Sequence, residues 1–134
     1  MVDTIFANAY PKPQVAKFLP VEWLFHWLLE TPFFEFTWDK GNITKSLVKH
    51  DVMEQETEEV FLGRTAVPLG IQIEPMVHEQ RIGIVGPTWR NCFLTIVFTM
   101  REGRVRPISS RPANRKERKT YETIRKVSQR IRKH

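Results

Sequence analysis

Apolar positions change their period several times along the chain, and each change marks an element. Between Pro20 and Pro32 the segment VEWLFHWLL is apolar almost throughout, with Trp23 and Trp27 one helical turn apart. This predicts one short helix hung on an irregular arm that also carries Pro11 and Pro13. The two tryptophans either cover the chain's own core or dock a partner or second copy. FFEFTW then alternates between Pro32 and Asp39 and reads as a strand, Phe33–Trp38. Asp39 caps a predicted helix, DKGNITKSLVKH, with Ile43, Leu47 and His50 along one side and Lys45 and Lys49 along the other. Asn42 and Ser46 join the lysines on that polar face, an arrangement able to hold phosphate or simply to face water.

A second helix is expected at Glu54–Phe61, with Val60 and Phe61 inward and Glu54, Glu56, Glu58 and Glu59 outward, free to face solvent or to pair with basic groups elsewhere. Leu62–Met76 is punctuated by Gly and Pro and reads as irregular. RIGIVG, CFLTIVFTM and RVRPISS follow as strands joined by PTWRN and REG, two successive hairpins. Arg104 and Arg106 flank Val105 and share one face of the last strand, a paired comb suited to phosphate. The final element is a helix. Asn114 and Glu117 form its capping box, and Tyr121, Ile124, Val127 and Ile131 form its apolar stripe. The order strand, helix, helix, three strands, helix describes an α+β fold with a four-stranded, mainly antiparallel sheet, two N-terminal helices and a basic C-terminal helix. Residues 1–32 read as an arm and 33–134 as the domain proper.

Composition narrows the class. At 134 residues, 41% apolar and 27% charged, the chain has the make-up of one ordinary globular unit. Cys92 is the only cysteine and sits inside CFLTIVFTM, so it reads as a core thiol in a reducing compartment. One cysteine and four scattered histidines give no repeated ligand spacing, and no metal or other cofactor is expected. The apolar stretch after Pro20 contains Glu22 and His26, falls well short of the ~20 residues that span a bilayer, and precedes no small-residue cleavage site. A cytoplasmic protein without a membrane partner is the expectation.

Charge changes the picture most. Residues 101–134 carry thirteen Lys/Arg against Glu102, Glu117 and Glu122, a net of +10, whereas residues 1–100 carry a net of −4. So lopsided a distribution favours a polyanion, RNA foremost.

The strings FTWDKGNITKSLVKHDV, EEVF, EQRIGIVG, IVFT, GRVRPISSR and ANRKERKTYE, in that order, resemble the BrnT toxins from about Phe34 to Glu122. The resemblance implies a fold like that of RelE-type ribonucleases. It also implies a ribbon-helix-helix antitoxin, BrnA-like, that covers the toxin and binds operator DNA only as the complex. Two positions depart from the commonest family pattern: Asn42 and Ser46 stand where Lys and Asn are usual, with Lys45 near enough to supply the displaced charge. The arm before Phe33 has no family counterpart.

RNA brings its own nucleophile, the 2′-hydroxyl, so a ribonuclease of this kind has to align it, neutralise the phosphorane and protonate the leaving 5′ oxygen. Arg81, Arg106 and Arg111 are the candidates for phosphate and transition-state stabilisation, with Lys49 in support and His50 or Tyr121 for proton transfer. Lys45, Arg104, Arg115, Arg118 and Lys119 are candidates for RNA binding. His26, His78 and His134 are assigned nothing. The alternative is a non-catalytic module of the same fold that binds nucleic acid or an antitoxin.

Overall fold

The computed structural model describes residues 16–132, leaving out the side chains of residues 44–48 and 129–132. In chain order the elements are β1 (Lys17–Leu19), α1 (Glu22–Glu30), α2 (Lys40–His50), α3 (Glu54–Leu62), β2 (Val67–Glu74), β3 (Ile82–Pro87), β4 (Phe93–Arg101), β5 (Arg104–Pro112) and α4 (Arg115–Arg132). The fold is α+β, as expected, but the sheet has five strands in the order β1-β2-β3-β4-β5, every neighbouring pair antiparallel.

Three changes explain the difference in strand number, the first being β1, three residues within the expected arm that pair with β2. VPLGIQIE, expected to be irregular because of Pro68 and Gly70, is the full strand β2. Its register slips between Pro68 and Gly70, where φ is +134°. Glycine is required there, since a Cβ would lie 2.1 Å from the Leu19 carbonyl oxygen of the adjoining β1. Phe33–Trp38, expected to be a strand, contributes only one parallel bridge, Phe36 to Val105. The Val105 N–H donates to Glu35 O and the Thr37 N–H to Val105 O, after which the chain turns into α2. The alternation in FFEFTW therefore records which rings face inward along an edge, not a ladder.

The core lies on one face of the sheet. Leu24 and Leu28 of α1 and Val60 and Phe61 of α3 pack on Ile82, Ile84, Leu94, Ile96, Phe98 and Val105. Phe61 is the hub, with ring centroids 5.4 Å from Phe34, 5.3 Å from Phe36 and 5.2 Å from Phe98. Trp27 stacks on Phe98 at 5.8 Å, whereas Trp23 stays half exposed, so the tryptophan pair divides between core and surface. The glutamates of α3 are partly engaged locally. Glu58 accepts from Trp38 Nε1, the buried Glu59 accepts from the Trp89 N–H, and Glu56 accepts from the Met53 N–H. None of the ion pairs among the described residues joins α3 to α4.

Cys92 is exposed, contrary to the expectation of a core thiol. It closes the turn before β4, where Asn91 takes a positive φ of 65° and the Cys92 N–H donates to Thr88 Oγ1, so burial along CFLTIVFTM begins only after it. By strand alternation, α4 covers the face opposite the core: Glu117 meets Arg111, and Tyr121 meets Phe93. The capping box forms as expected, the Glu117 N–H donating to Asn114 Oδ1 at 2.8 Å and the Asn114 N–H to Glu117 Oε1 at 2.9 Å. Of the stripe, Tyr121 and Ile124 are half-buried and Val127 is half exposed, while the side chain of Ile131 lies outside the described residues.

Candidate nucleic-acid interface

The face of β4 and β5 opposite the core gathers several of the candidate side chains. Register pairs Thr99 with Arg106, Val97 with Ser109, and Thr95 with Arg111. Ile82 pairs with Phe98, so Arg81, one residue earlier, lies beside Thr99 on the same face. Arg81, Thr99 and Arg106 thus form a row across three strands. Thr99 Oγ1 donates to Gln80 O at 2.9 Å, tying the row to the start of β3. The Nε atoms of both Arg81 and Arg106 are buried without a hydrogen-bond partner among the described residues. A buried guanidinium N–H left unpaired is costly, and an anion accepting from it removes that cost.

Each arginine of β5 is held by a carboxylate. Arg106 Nη2 lies 3.0 Å from Asp39 Oδ2, Arg104 Nε 3.3 Å from Glu35 Oε2, and Arg111 makes two parallel bonds of 2.7 Å to Glu117. Hydrogen bonds from the Asn42 N–H and from Arg106 hold the Asp39 carboxyl below its usual 3.8. Burial pushes the Glu117 carboxyl upward. The Arg111 fork, the Asn114 N–H and the Arg111 charge outweigh burial, and the group titrates below its usual 4.5.

Asn42 departs from the expectation of a phosphate-holding face. It is buried, with 3% exposure, and its Nδ2 donates to Thr37 O and Pro107 O at 3.0 Å each while its Oδ1 accepts from the Asp39 N–H at 2.7 Å. Asn42 therefore clamps the start of α2 to β5 and sets the position of Asp39 beside Arg106. A lysine there could still donate to the carbonyls but, having no acceptor, would leave the Asp39 N–H without its partner. Lys45 and Ser46 have side chains outside the described residues. Lys49 is exposed on α2, and His50 is half-buried at its C-terminal end.

The sequence-derived candidates do not converge on one point. Thr95 and Thr99 are four residues apart on β4, so the Arg111 position lies about 13 Å along the strand from the Arg81–Arg106 row. Tyr121 lies beyond Arg111, its ring 5.0 Å from that of Phe93 and inclined at 67°. Above this end Arg115, Arg118, Lys119 and Glu122 of α4 surround Phe93 in an open pocket of about 460 Å³. Asp39, Glu35, Glu117, Thr99 and Phe93 were not among the residues assigned to the site from sequence. Asp39 and Glu117 did give a signal, as caps, but a capping motif does not tell which arginine it will meet.

A sequence model for the ribonuclease toxin BrnT of type II toxin-antitoxin systems matches residues 38–117, from the start of the Asp39 clamp to Glu117. The chain belongs to this family. A search of curated proteins finds none that matches. A BrnT protein is a toxin of the ribonuclease class and implies an antitoxin partner. The matched segment contains Asp39, Asn42, Arg81, Thr99, Arg104, Arg106, Arg111 and Glu117, so the sheet row and the carboxylates of Arg106 and Arg111 lie in the part that defines BrnT, whereas Glu35, the partner of Arg104, lies just before it. Residues 16–37 precede it, and supply β1, α1 and the Phe34 and Phe36 rings to the same sheet and core. Among the described residues no three His, Cys, Asp or Glu side chains are grouped to hold a metal ion, and no helix is long and apolar enough to cross a membrane.

Proposed function

We propose that this BrnT protein cleaves RNA without a metal, by attack of a ribose 2′-oxygen on the adjacent phosphorus, and that its RelE-like antiparallel sheet is the surface on which the strand lies. The observation that carries the reading is the row Arg81–Thr99–Arg106, with two buried, unpartnered Nε–H groups on one side of the sheet. In-line attack forms the 2′-O–P bond and breaks the P–5′-O bond, leaving a 2′,3′-cyclic phosphate and a 5′-hydroxyl. Arg81 and Arg106 grip the non-bridging oxygens and hold the added charge of the phosphorane. Arg111, kept rigid by Glu117, meets the strand further along, where Arg115, Arg118 and Lys119 attract it, while Arg104 flanks the row and Lys45 remains a candidate for binding RNA. Lys49 supports the charge, and of the two proton-transfer candidates His50 is the one retained for the 5′ oxygen, because Tyr121 sits beyond Arg111, away from the row.

The chemistry is assigned to residues 33–134, with 1–32 an arm added to the toxin. A BrnA-like ribbon-helix-helix antitoxin is the proposed partner, which covers the basic face and carries the complex to operator DNA. One observation favours the second reading, a binding module without cleavage: Arg104, Arg106 and Arg111 are each already engaged by a carboxylate. Incubating the purified chain with 5′-labelled RNA in EDTA decides between them. Fragments ending in 2′,3′-cyclic phosphate support the ribonuclease. Cleavage that needs added magnesium, or binding with no cleavage at all, removes it.

A further inference from the structure

The pocket around Phe93 differs from the paired arginines of β5. Arg115, Arg118, Lys119 and Glu122 follow one another at spacings of three, one and three residues, so they share one side of the first turns of α4. No ion pair engages any of the three cations among the described residues, whereas the guanidinium groups of Arg101, Arg104, Arg106 and Arg111 are all paired. The floor is the half-buried ring of Phe93, against which Tyr121 is inclined at 67° and does not lie flat. A net positive charge, three cations against Glu122, and an aromatic ring coincide at this pocket.

We infer that this pocket is a nucleotide subsite that takes one unstacked base of single-stranded RNA against Phe93, with the flanking phosphates held by Arg115, Arg118 and Lys119. An aromatic ring accepts the face of any base, and cations around it take the phosphates on either side. A duplex keeps its bases stacked inside and presents no face to a recessed ring, so the subsite selects single strands. Its place is fixed by register: Phe93 lies two residues from Thr95, the partner of Arg111, on the same face of β4. The Arg81–Arg106 row and the pocket therefore lie on the same face toward opposite ends of β4, with Arg111 between them and α4 packed over the buried Thr95. The subsite deepens the ribonuclease reading and rests on it for the direction of the strand.

The test uses binding, so that cleavage and subsite can fail separately. The probes are a short fluorescein-labelled 2′-O-methyl RNA, which lacks the attacking hydroxyl, and the same oligonucleotide made abasic throughout. Wild-type protein binds the intact probe roughly tenfold more tightly than the abasic one, the scale of one base stacked on an aromatic ring. Phe93→Leu keeps apolar bulk beneath Tyr121 but offers no ring, and binds both probes equally at the abasic level. Arg118→Gln with Lys119→Gln alters only exposed positions, so folding is not at stake, and weakens both probes alike. Phe93→Leu that still prefers the intact probe as wild type does, or wild type that binds both probes equally or not at all, overturns the subsite. The unmodified RNA is then offered in parallel. Discrimination at Phe93 without cleavage of that RNA leaves the subsite standing and removes the ribonuclease; cleavage without discrimination does the reverse.

Discussion

The arginines of β5 and the cations of α4 carry the same formal charge under opposite conditions. Arg104, Arg106 and Arg111 are fixed by strand register, and Glu35, Asp39 and Glu117 neutralise them in turn. Arg115, Arg118 and Lys119 project from a helix and have no such partner among the described residues. The first group has little net field and well-defined geometry, and the second has field with little constraint. Rigid, compensated donors suit a transition state, because they are already oriented when charge develops. Free cations suit attraction, because their counterions are released when phosphate arrives. Net charge alone, +10 over residues 101–134, merges these two populations.

The largest expected difference between them is in rate. Arg106→Ala removes one of the row's two guanidinium groups with a buried Nε and lowers single-turnover cleavage at saturating RNA by about a hundredfold or more. Cleavage at the parental rate would move the reaction away from the sheet. Next is stability. Arg111→Ala leaves the Glu117 side chain, 10% exposed, without its counter-charge and lowers the unfolding free energy by about 2 kcal/mol in urea titrations. Because the Glu117 pKa is depressed on folding, its contribution is complete above the usual 4.5 and is lost as pH falls through the lower, folded value. Glu117→Gln is therefore less stable than wild type at neutral pH, and the gap between the two narrows on acidification. A gap that stays constant on acidification would show that the fork carries no linkage.

A smaller effect separates the two groups by salt. Arg118→Gln with Lys119→Gln reduces the slope of log K against log salt by roughly 0.7 for each cation removed, the single-strand value. Arg104→Gln, whose charge Glu35 already offsets, changes that slope by much less. Equal changes would mean that the β5 carboxylates leave when RNA binds. The smallest effect concerns base identity. Glu122 is the pocket's only carboxylate and accepts hydrogen bonds from an exocyclic amine, so oligocytidine binds a few-fold more tightly than oligouridine. Glu122→Gln narrows that preference in a competition assay.

Much of this was legible in the sequence. The apolar runs of β3 and β4 and the Asn114–Glu117 box carry strong local signals, and the structure follows them. β2 was hidden because Pro68 and Gly70 are strand breakers in general, and here Gly70 serves the close approach of Leu19. The reverse failure at Phe33–Trp38 has the opposite cause: two rings buried against Phe61 imitate a ladder that is one bridge long. Asn42 read as a surface donor because its neighbours are polar, and only the approach of Pro107, 65 residues away in sequence, makes it a clamp. Cys92 read as core because burial starts one residue later than the apolar run does. Among the candidates, the alternation of Arg104 and Arg106 was visible. Which carboxylate each would meet depends on loops that no periodicity describes.

Glu117 uses its two carboxylate oxygens for two different structures: Oε1 receives the Asn114 N–H at the start of α4, and both oxygens receive Arg111 of β5. Seating the first turn of the helix and aiming that arginine are therefore one thermodynamic event. A ligand that pulls on Arg118 or Lys119 loads the same turn, and by reciprocity the orientation of Arg111 changes the affinity of that ligand by an equal factor. The helix is in this way a lever on the sheet beneath it, with a single glutamate as its fulcrum.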